Sequence, residues 1–303
     1  MTMDTTPNLD IALGFTIPDR HARGRFVRMG PVLDEILSKH AYPPAIEKLL
    51  AEALTVTALI GSTLKDAGGQ LTLQTQSETG VVRLLVCDFK GGEVRGYVEF
   101  DADRLATAPA EPTLFALFGQ AYLTITFDQA LTGERYQGIV PLDGDTLAEA
   151  VQSYFVQSEQ LPTLVRVGMR KHANGHCIVG GLFLQHLPEG EEGRERLHTR
   201  LDHPEWQHVE ALGATIEADE LTDADATLET LIWRLFNEEG EVRVLTALPL
   251  ARGCRCTADY IAQVISKFPI EERRAMADEN GVITVDCAFC ATKFPFPVTD
   301  LAA

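Results

Sequence analysis

The sequence has no long hydrophobic run and no obvious targeting or nucleotide-binding segment. No stretch approaches about 18 consecutive uncharged apolar residues, so we expect no membrane-spanning helix. The first ten residues carry neither a basic residue nor an apolar run, so we expect no secretory signal there and a cytoplasmic protein. A glycine-rich phosphate loop of the Walker type is also missing, which is consistent with independence from ATP.

Positive charge is scarce. The 303 residues include 26 Lys and Arg against 44 Asp and Glu, and the formal net charge is −18. Nucleic acids and anionic membrane surfaces attract basic proteins, so neither is expected as a partner. The remaining composition is typical of a globular protein, with 45% hydrophobic residues, which is enough for a substantial core.

The acidity is concentrated in one segment. Residues 189–240 contain 15 acidic and 4 basic residues, whereas residues 251–303 contain 7 acidic and 6 basic residues. These differences divide the chain into a mixed N-terminal part (residues 1–188), an acidic middle (189–250) and a short cysteine-bearing tail (251–303). We expect three corresponding structural units.

The N-terminal part combines helix-like and strand-like patterns. Apolar residues at helical spacing predict one helix over residues 31–39 and a second that runs from Ile46 to a stop at Gly61. Asp145 is the expected N-cap of a third helix. Strands are predicted at residues 70–75, 81–87, 94–100, 121–127, 136–141, 163–170 and 177–184. Several of these strands form hairpins, so an α+β fold is predicted rather than a doubly wound sheet.

The acidic middle contains both tryptophans of the chain, Trp206 and Trp233. It also contains apolar residues at positions i, i+3, i+4, i+7 and i+8, the spacing of one helix face; these are Leu228, Leu231, Ile232, Leu235 and Phe236. Two interpretations remain open. The helix is either packed permanently on the main domain, or it belongs to a segment that folds only conditionally because its charges repel each other.

Four of the six cysteines form two close pairs in the tail. The pairs are Cys254-Arg255-Cys256 and Cys287-Ala288-Phe289-Cys290, and 30 residues separate them. Four thiolates brought together can hold zinc in the closed tetrahedral site that is typical of structural zinc. One residue between the first two cysteines is fewer than the usual two to four. Between the pairs we predict a helix capped by Thr257 and a second helix from Pro269 to Gly281. Strands are predicted on either side of the second pair, at residues 283–286 and 291–296.

A tail of about 50 residues buries little core, so zinc would have to supply stability. Our hypothesis is that the tail is folded only while the four thiolates hold the metal, and that oxidation to disulfides releases it. Arg252 and Arg255 favour thiolates at the first pair, and thiolates are the species that oxidants attack. A purely structural zinc ribbon without a redox role is the alternative.

The remaining candidates have simpler explanations. Cys87 and Cys177 lie in apolar strand patterns and are expected to be buried small hydrophobic residues. His172 and His176 flank an expected tight turn at Asn174-Gly175 and are not expected to form a metal site.

The cysteine pattern, together with the acidic chain of about 300 residues, resembles the 33 kDa redox-regulated heat-shock chaperone family. The resemblance extends from Phe26 to the end. It includes four further motifs, which are Tyr154-Phe155-Val156-Gln157-Ser158-Glu159-Gln160-Leu161-Pro162-Thr163, Gly180-Gly181-Leu182-Phe183-Leu184-Gln185, Leu71-Thr72-Leu73-Gln74 and Val94-Arg95-Gly96-Tyr97.

The resemblance implies an α+β N-terminal domain (1–188), a metastable acidic helical linker (189–250) and a C-terminal zinc-binding redox-switch domain (251–303). It implies that Cys254, Cys256, Cys287 and Cys290 hold zinc in an inactive reduced form. Oxidation would form the disulfides Cys254–Cys256 and Cys287–Cys290, release zinc and unfold the linker.

The oxidised chain would then dimerise and act as a holdase. It would bind unfolding client proteins without ATP and pass them to ATP-dependent refolding chaperones. Our candidates for surface that is hidden in the reduced form and exposed in the oxidised form are seven linker residues, namely Trp206, Leu228, Leu231, Ile232, Trp233, Leu235 and Phe236.

Two other functions remain as alternatives. A thiol-disulfide oxidoreductase could use Cys287 and Cys290, but such a pair should begin a helix within a βαβ unit. A zinc-ribbon module for nucleic acid is disfavoured by the net charge of −18.

Overall fold

A computed structural model of the chain describes residues 8–64, 68–187 and 202–301. The described strands are β1 (Ile11–Ile17), β2 (Ala22–Met29), β3 (Gln70–Gln76), β4 (Val82–Lys90), β5 (Glu93–Phe100), β6 (Tyr122–Asp128), β7 (Arg135–Pro141), β8 (Thr163–Lys171), β9 (Cys177–His186), β10 (Arg243–Val244), β11 (Leu248–Pro249), β12 (Ala251–Arg252), β13 (Val282–Asp286) and β14 (Lys293–Pro297). The described helices are α1 (Pro31–Leu37), α2 (Pro44–Gly61), α3 (Ala102–Ala106), α4 (Leu114–Phe118), α5 (Leu147–Tyr154), α6 (Pro204–Ala214), α7 (Ala218–Leu221), α8 (Leu228–Phe236), α9 (Ala258–Ile265) and α10 (Ile270–Met276). This mixture confirms the α+β fold class.

The first sheet has the order β10-β1-β2-β9-β8, and β11 also pairs with β1; every pairing is antiparallel. Successive side chains of a strand point to opposite faces. On β1, Ala12 therefore joins one hydrophobic core, whereas Leu13 and Phe15 join another on the opposite side. Likewise on β9, Phe183 lies in the first core and Leu184 in the second. Both faces of this sheet are apolar, so both require a cover.

The second sheet has the order β12-β5-β4-β3-β6-β7, and only its β12–β5 pairing is parallel. Its strands show the pattern of a sheet buried on one side. Leu71 and Leu73 of β3 are fully buried, while Thr72 and Gln74 between and beside them are half-buried. The β4–β5 turn has positive φ at both central residues, 56° at Gly91 and 92° at Gly92, which requires glycine-like freedom.

Helix α2 lies between the two sheets. It contacts β2, β8 and β9 of the first sheet and β3, β4 and β5 of the second. It begins at Pro44, where a proline needs no hydrogen-bond partner for its nitrogen. Every residue from Ala53 to Gly61 is buried, and a helix that is apolar on all sides is stable only when it is enclosed. The main core therefore surrounds α2.

Helices α6, α7 and α8 cover the outer face of the first sheet. Seven of their side chains are buried there, and these are Trp206, Val209, Leu221, Leu228, Leu231, Ile232 and Phe236. They pack on Leu13, Phe15, Ile17, Phe26, Leu164, Leu182 and Leu184 of the sheet. The ring centroid of Phe15 lies 5.5 Å from that of Phe236. The predicted amphipathic helix is confirmed, and in this structure its apolar face is docked on the main domain.

The two tryptophans differ in their surroundings. Trp206 lies on the buried face of α6 and is 1% exposed, whereas Trp233 lies on the outer face of α8 and is 68% exposed. The expectation that both are hidden therefore holds for Trp206 and is wrong for Trp233. Trp233 lies one residue beyond the buried Ile232 and so points away from the stripe.

The segment that follows α8 closes an edge of each sheet. Strands β10 and β11 pair with β1 of the first sheet, and β12 then pairs with β5 of the second. Backbone hydrogen bonds from Leu250 to Asp10 (2.7 Å) and from Gly253 to Val94 (2.9 Å) extend these pairings. The chain thus crosses from one sheet edge to the other directly before the first cysteine pair.

Three details of the sequence prediction are corrected. No strand was predicted before residue 31, although β1 and β2 form the centre of the first sheet. Thr146, not Asp145, is the N-cap of α5, because its hydroxyl accepts a hydrogen bond from the Glu149 amide. Helix α10 ends at Met276, and Gly281 lies in the turn before β13. The β8–β9 hairpin around Asn174-Gly175 is confirmed.

Helix α7 rests directly on two glycines. Gly168 and Gly180 are paired across β8 and β9. A Cβ atom on Gly180 would lie 2.1 Å from the Leu221 carbonyl oxygen, and one on Gly168 would lie 2.7 Å from Ala218 Cα. Backbone contact this close is possible only because neither glycine has a side chain.

We predict that Gly180→Ala lowers the free energy of unfolding by about 1–3 kcal/mol, because the new methyl group displaces α7. Urea unfolding measures the loss, and faster amide exchange in α7 locates it. Ala173→Ser, in the exposed β8–β9 turn, is the control and should change stability little. A Gly180→Ala loss below about 0.5 kcal/mol would contradict the close packing of α7.

Candidate metal centre and linker contacts

The first cysteine pair closely follows β12, the edge strand of the second sheet. Strand β12 pairs in parallel with β5, and the Gly253 amide donates to the Val94 carbonyl, so Cys254 emerges beside the end of that sheet. Thr257 then caps α9 by accepting a hydrogen bond from the Tyr260 amide, as predicted. The direction of Cys254 and Cys256 is therefore set by the main domain, not by the tail alone.

The second pair occupies the turn between β13 and β14. The Cys287 amide donates to the Thr292 carbonyl at 3.0 Å, and the Ala291 amide donates back to the Cys287 carbonyl at 2.8 Å. Ala291 adopts a positive φ of 52°, which tightens the turn. This knuckle points both sulfurs toward the first pair. It is not the start of a helix, which the oxidoreductase alternative requires.

The four sulfur atoms form one cluster. All four lie within 4.8 Å of one another. The Sγ–Sγ distances are 3.1 Å for Cys254–Cys256, 3.6 Å for Cys254–Cys287 and 3.4 Å for Cys256–Cys290. A disulfide bond measures about 2.05 Å. In a tetrahedron with metal–sulfur bonds of about 2.3 Å, the sulfurs stand about 3.8 Å apart. The cluster is therefore an arrangement of free thiols close to tetrathiolate geometry.

The electrostatics of the cluster also favour a cation. Burial and neighbouring thiols raise the pKa values of Cys256 and Cys287. Cys290 differs: burial raises the pKa of its thiol, but hydrogen bonds with Thr292 and with the Cys256 and Cys254 thiols outweigh burial and lower that pKa to about 6. Four sulfurs this close cannot all ionise unless a cation offsets their repulsion. The cluster could therefore hold a metal ion, in agreement with the predicted ligand set.

The knuckle also docks on the second sheet. The Phe289 ring lies 4.9 Å from the Tyr97 ring in an edge-on arrangement, and the Arg95 guanidinium lies 4.0 Å from the Phe289 ring centre. A hydrogen bond from His40 Nε2 to the Ala288 carbonyl measures 3.0 Å. Contacts of a cation and an aromatic edge with one ring are favourable. The two residues between Cys287 and Cys290 thus attach the knuckle to the main domain.

Two arginines near the first pair have partners in the main domain. Arg252 donates to Glu35 at 2.6 Å, and Arg255 donates to Gln70 at 2.5 Å. They were predicted to favour thiolates, but their guanidinium groups also attach the tail to the N-terminal domain. The tail itself has a small core, in which Ile265, Ile283 and Leu301 are the buried hydrophobic residues. A core of this size gives little stability without a further constraint.

Arg28 joins α7 and the residues after it to the first sheet, and nothing in the sequence pattern singles it out. It is fully buried among the apolar side chains of the outer face. Its guanidinium donates to three backbone carbonyls, those of Leu221 (2.8 Å), Ala226 (2.6 Å) and Glu220 (3.2 Å). Burial lowers the pKa of Arg28 to about 10. A buried cation that is solvated by the carbonyls around α7 requires α7 to stay in place.

A second polar contact ties the end of α8 to α6. Glu239, whose side chain is 3% exposed, accepts a hydrogen bond from Arg20 at 2.7 Å. His208 of α6 contacts the other oxygen of Glu239 at 2.6 Å. Although burial opposes the ionised form, these two partners lower the pKa of Glu239. The acidic linker therefore uses some of its charge in specific contacts.

The other cysteines are placed as predicted. Cys87 and Cys177 are buried, and burial raises the pKa of both thiols. His176 contacts Asp34 at 2.5 Å near the β8–β9 turn.

Comparison with known proteins identifies the family of the chain. The sequence profile of the Hsp33 protein family matches residues 10–297. The chain belongs to the Hsp33 family. The 33 kDa chaperonin of Caulobacter vibrioides (strain NA1000 / CB15N) is 38% identical over 289 residues, which cover 93% of each chain. That of Pseudomonas fluorescens (strain Pf0-1) is 34% identical over 300 residues, covering 97% of this chain and 92% of the relative.

The fold is shared as well. The crystal structure of a 33 kDa chaperonin, an Hsp33 homologue from Thermotoga maritima, matches with a TM-score of 0.76 at 23% sequence identity, covering 96% of both chains. Within the described residues of this Hsp33-family chain, no helix is long and apolar enough to cross a membrane.

We predict that each of the substitutions Cys254→Ser, Cys256→Ser, Cys287→Ser and Cys290→Ser reduces bound metal from about one ion per chain to a small fraction, because a tetrathiolate site loses a charged ligand. Elemental analysis of chains purified under reducing conditions measures the metal. Cys177→Ala is the matched control, since this thiol lies outside the cluster, and should retain full occupancy. Full metal content in the cluster variants would contradict the site.

Proposed function

We propose that the chain is a redox-regulated, ATP-independent holdase chaperone, inactive when reduced and metal-bound and active when oxidised. One observation carries the proposal. The helices that cover an apolar face of the first sheet lead directly along the chain into the four-cysteine cluster, so that a change at the cluster can affect how these helices are held. Membership of the Hsp33 family supports the same assignment.

The metal is proposed to be zinc, held by Cys254, Cys256, Cys287 and Cys290. A closed set of four thiolates is typical of structural zinc, which supplies folding energy and no open position for chemistry. The small core of the tail makes such a contribution necessary.

Oxidation is proposed to form the disulfides Cys254–Cys256 and Cys287–Cys290, the pairing that the family resemblance implies. Each peroxide molecule takes two electrons from one pair of thiols, so that one S–S bond forms and two waters leave. The 3.1 Å separation of the Cys254 and Cys256 sulfurs suits the first bond. Since a disulfide sulfur is a poor ligand, both reactions remove the zinc-binding groups.

The switch is proposed to pass through two contacts of the tail. A disulfide within the knuckle changes its turn and withdraws Phe289 from Arg95 and Tyr97. Loss of the fold around Cys254 also frees β12, a pairing of only two residues, from β5. The segment that carries β10 and β11 is then held by short pairings alone.

Release of the linker helices is proposed to expose the client-binding surface. That surface comprises the buried linker candidates Trp206, Leu228, Leu231, Ile232 and Phe236, together with half-buried Leu235 and the sheet residues beneath them. Contiguous apolar area of this kind binds unfolded polypeptides. Trp233 remains a candidate because it is already exposed, but it cannot be part of the hidden set. The net charge of −18 would keep the opened form soluble.

The proposal includes three units, with residues 1–188 as core domain, 189–250 as linker and 251–303 as zinc-binding switch. It also includes a cytoplasmic location, dimerisation on oxidation, and transfer of clients to ATP-dependent refolding chaperones. No enzymatic turnover is proposed. The oxidoreductase alternative predicts catalytic reduction of insulin by the reduced chain, and absence of turnover would exclude it.

We predict that peroxide treatment releases about one zinc per chain and makes the protein suppress aggregation of a heat-denatured client. A metallochromic dye measures zinc, and light scattering measures aggregation. A Cys87→Ala, Cys177→Ala double variant is the control, because it retains all four cluster thiols and should switch normally. Equal suppression by the reduced, zinc-loaded chain would contradict the redox switch.

We predict that Arg28→Met releases the linker without oxidation, because the carbonyls around α7 lose their buried hydrogen-bond donor at a cost of about 3 kcal/mol. The measurement uses a Trp233→Phe background, so that emission reports Trp206 alone. We expect a red shift, stronger binding of a hydrophobic dye and partial client protection while zinc is retained.

The control for this variant is Arg83→Met, which removes an exposed arginine paired with Asp101. Circular dichroism and zinc content show whether the main domain and the tail remain folded. If reduced Arg28→Met keeps Trp206 buried and gives no client protection, Arg28 does not hold the linker.

A further inference from the structure

The Tyr154–Thr163 motif contributes nothing to the proposed switch, yet its backbone is unusual. After α5 the chain forms a single π-helical turn over Phe155–Glu159. Gln160 then adopts the left-handed conformation at φ 56° and ψ 34°. Such conformations are unfavourable for residues other than glycine, and they occur often at functional sites.

The motif forms one wall of a large open cavity of about 1070 Å³ between the ends of the two sheets. Apolar side chains line it, and they come from both sheets, from the end of α2 and the residues just after it, and from the motif itself. These are Ile60, Leu64, Phe127, Phe155, Leu161 and Phe183. Cavities with apolar walls and a few oriented polar groups are the usual form of small-ligand sites.

Arg23 is the oriented cation of this cavity. Its Nε and Nη2 donate to Gln185 Oε1 at 3.0 and 2.5 Å. Gln185 is fully buried, and its amide nitrogen donates in turn to Thr163 at 3.3 Å. The direction of the guanidinium is thus fixed, while its Nη1 has no hydrogen-bond partner among the described residues.

The cation lacks a neutralising acid. Arg25 lies on the same face of β2 and donates only to the backbone carbonyls of Ser62 and Gly24. Within residues 8–64, 68–187 and 202–301, neither guanidinium has an ion pair. Burial lowers the pKa of both side chains, and for Arg23 the charge of Arg25 adds to the effect and brings it to about 10. Two adjacent, half-buried cations without an anion are unfavourable unless a ligand supplies one.

We propose that this cavity binds one organic carboxylate with an apolar body. The carboxylate would meet the guanidinium of Arg23, and the apolar body would lie against Phe127, Phe155 and Phe183. This inference concerns a site apart from the cysteine cluster and the linker face, and it does not depend on the proposed chaperone function.

The remaining lining residues favour a monoanion over a phosphate. Glu134 and Glu159 also line the cavity, and Glu159 accepts a hydrogen bond from Tyr154 at 2.9 Å. Arg135, at the same rim, is already paired with Asp128. Repulsion from the two glutamates would oppose a dianion, whereas one carboxylate matches the fork of a single arginine.

The test uses the full reduced chain and isothermal titration with octanoate. We expect one molecule bound per chain. Octanol, which has the same length without the charge, and inorganic phosphate, which has charge without the apolar body, should bind at least about tenfold more weakly. Acetyl-Leu-Leu-Phe with a free C-terminus, compared with its amide, shows whether the carboxylate can also come from a peptide end.

Arg23→Met should weaken octanoate binding by about tenfold or more, and Arg135→Gln at the rim is the matched control that should leave it nearly unchanged. Because Arg23→Met could disturb folding, a second measurement uses the unmodified chain. There, octanoate should shift the nitrogen-15 NMR signal of Arg23 Nε. Absence of binding at millimolar octanoate, or binding without an effect on that signal, would overturn the proposal.

Discussion

A sheet whose two faces are both apolar must be covered on both sides, and this requirement organises the rest of the molecule. One face of the first sheet closes on α2, which is itself enclosed by the second sheet. The other face closes on α6–α8, which come from the most acidic part of the chain. The two covers differ in kind. The first is shared by two sheets and belongs to the main core, whereas the apolar side chains of the second pack, among the described residues, in a separate core on the first sheet.

Single buried or stacked cations set the positions of α7 and of the cysteine knuckle on the two sheets. Arg28 fixes α7 through backbone carbonyls, and Arg95 holds Phe289 of the cysteine knuckle while pairing with Asp88. Apolar packing supplies most of the free energy that holds the helices on the sheet, but it has little directionality and allows the helices to shift along the sheet. A guanidinium whose hydrogen-bond acceptors are fixed does not allow such a shift. These arginines therefore fix the register in which α7 and the cysteine knuckle dock on the main domain.

The two parts of the site differed in how far the sequence could predict them. Cys254, Cys256, Cys287 and Cys290 could be found because metal-ligand spacing is local, and the stripe from Leu228 to Phe236 because helical periodicity is local. The role of Arg28 could not be predicted, because the Leu221 carbonyl to which it donates is 193 residues away in the sequence. The strands β1 and β2 were missed because apolar residues on both faces and three arginines in β2 obscure the alternation. Trp233 was misassigned because its neighbour Ile232 belongs to the buried stripe.

The segment from β10 to β12 does more than connect. It occupies the open edges of β1 and β5 with pairings of two residues each. In the opened state proposed above, both edges would present unpaired backbone amides and carbonyls, and the edge of β1 would belong to the sheet whose apolar face is uncovered. Such edges accept any extended polypeptide as an additional strand, whatever its side chains. Client recognition would then rest partly on main-chain pairing, which does not depend on the client's sequence, and the same edges would let two opened chains pair with each other.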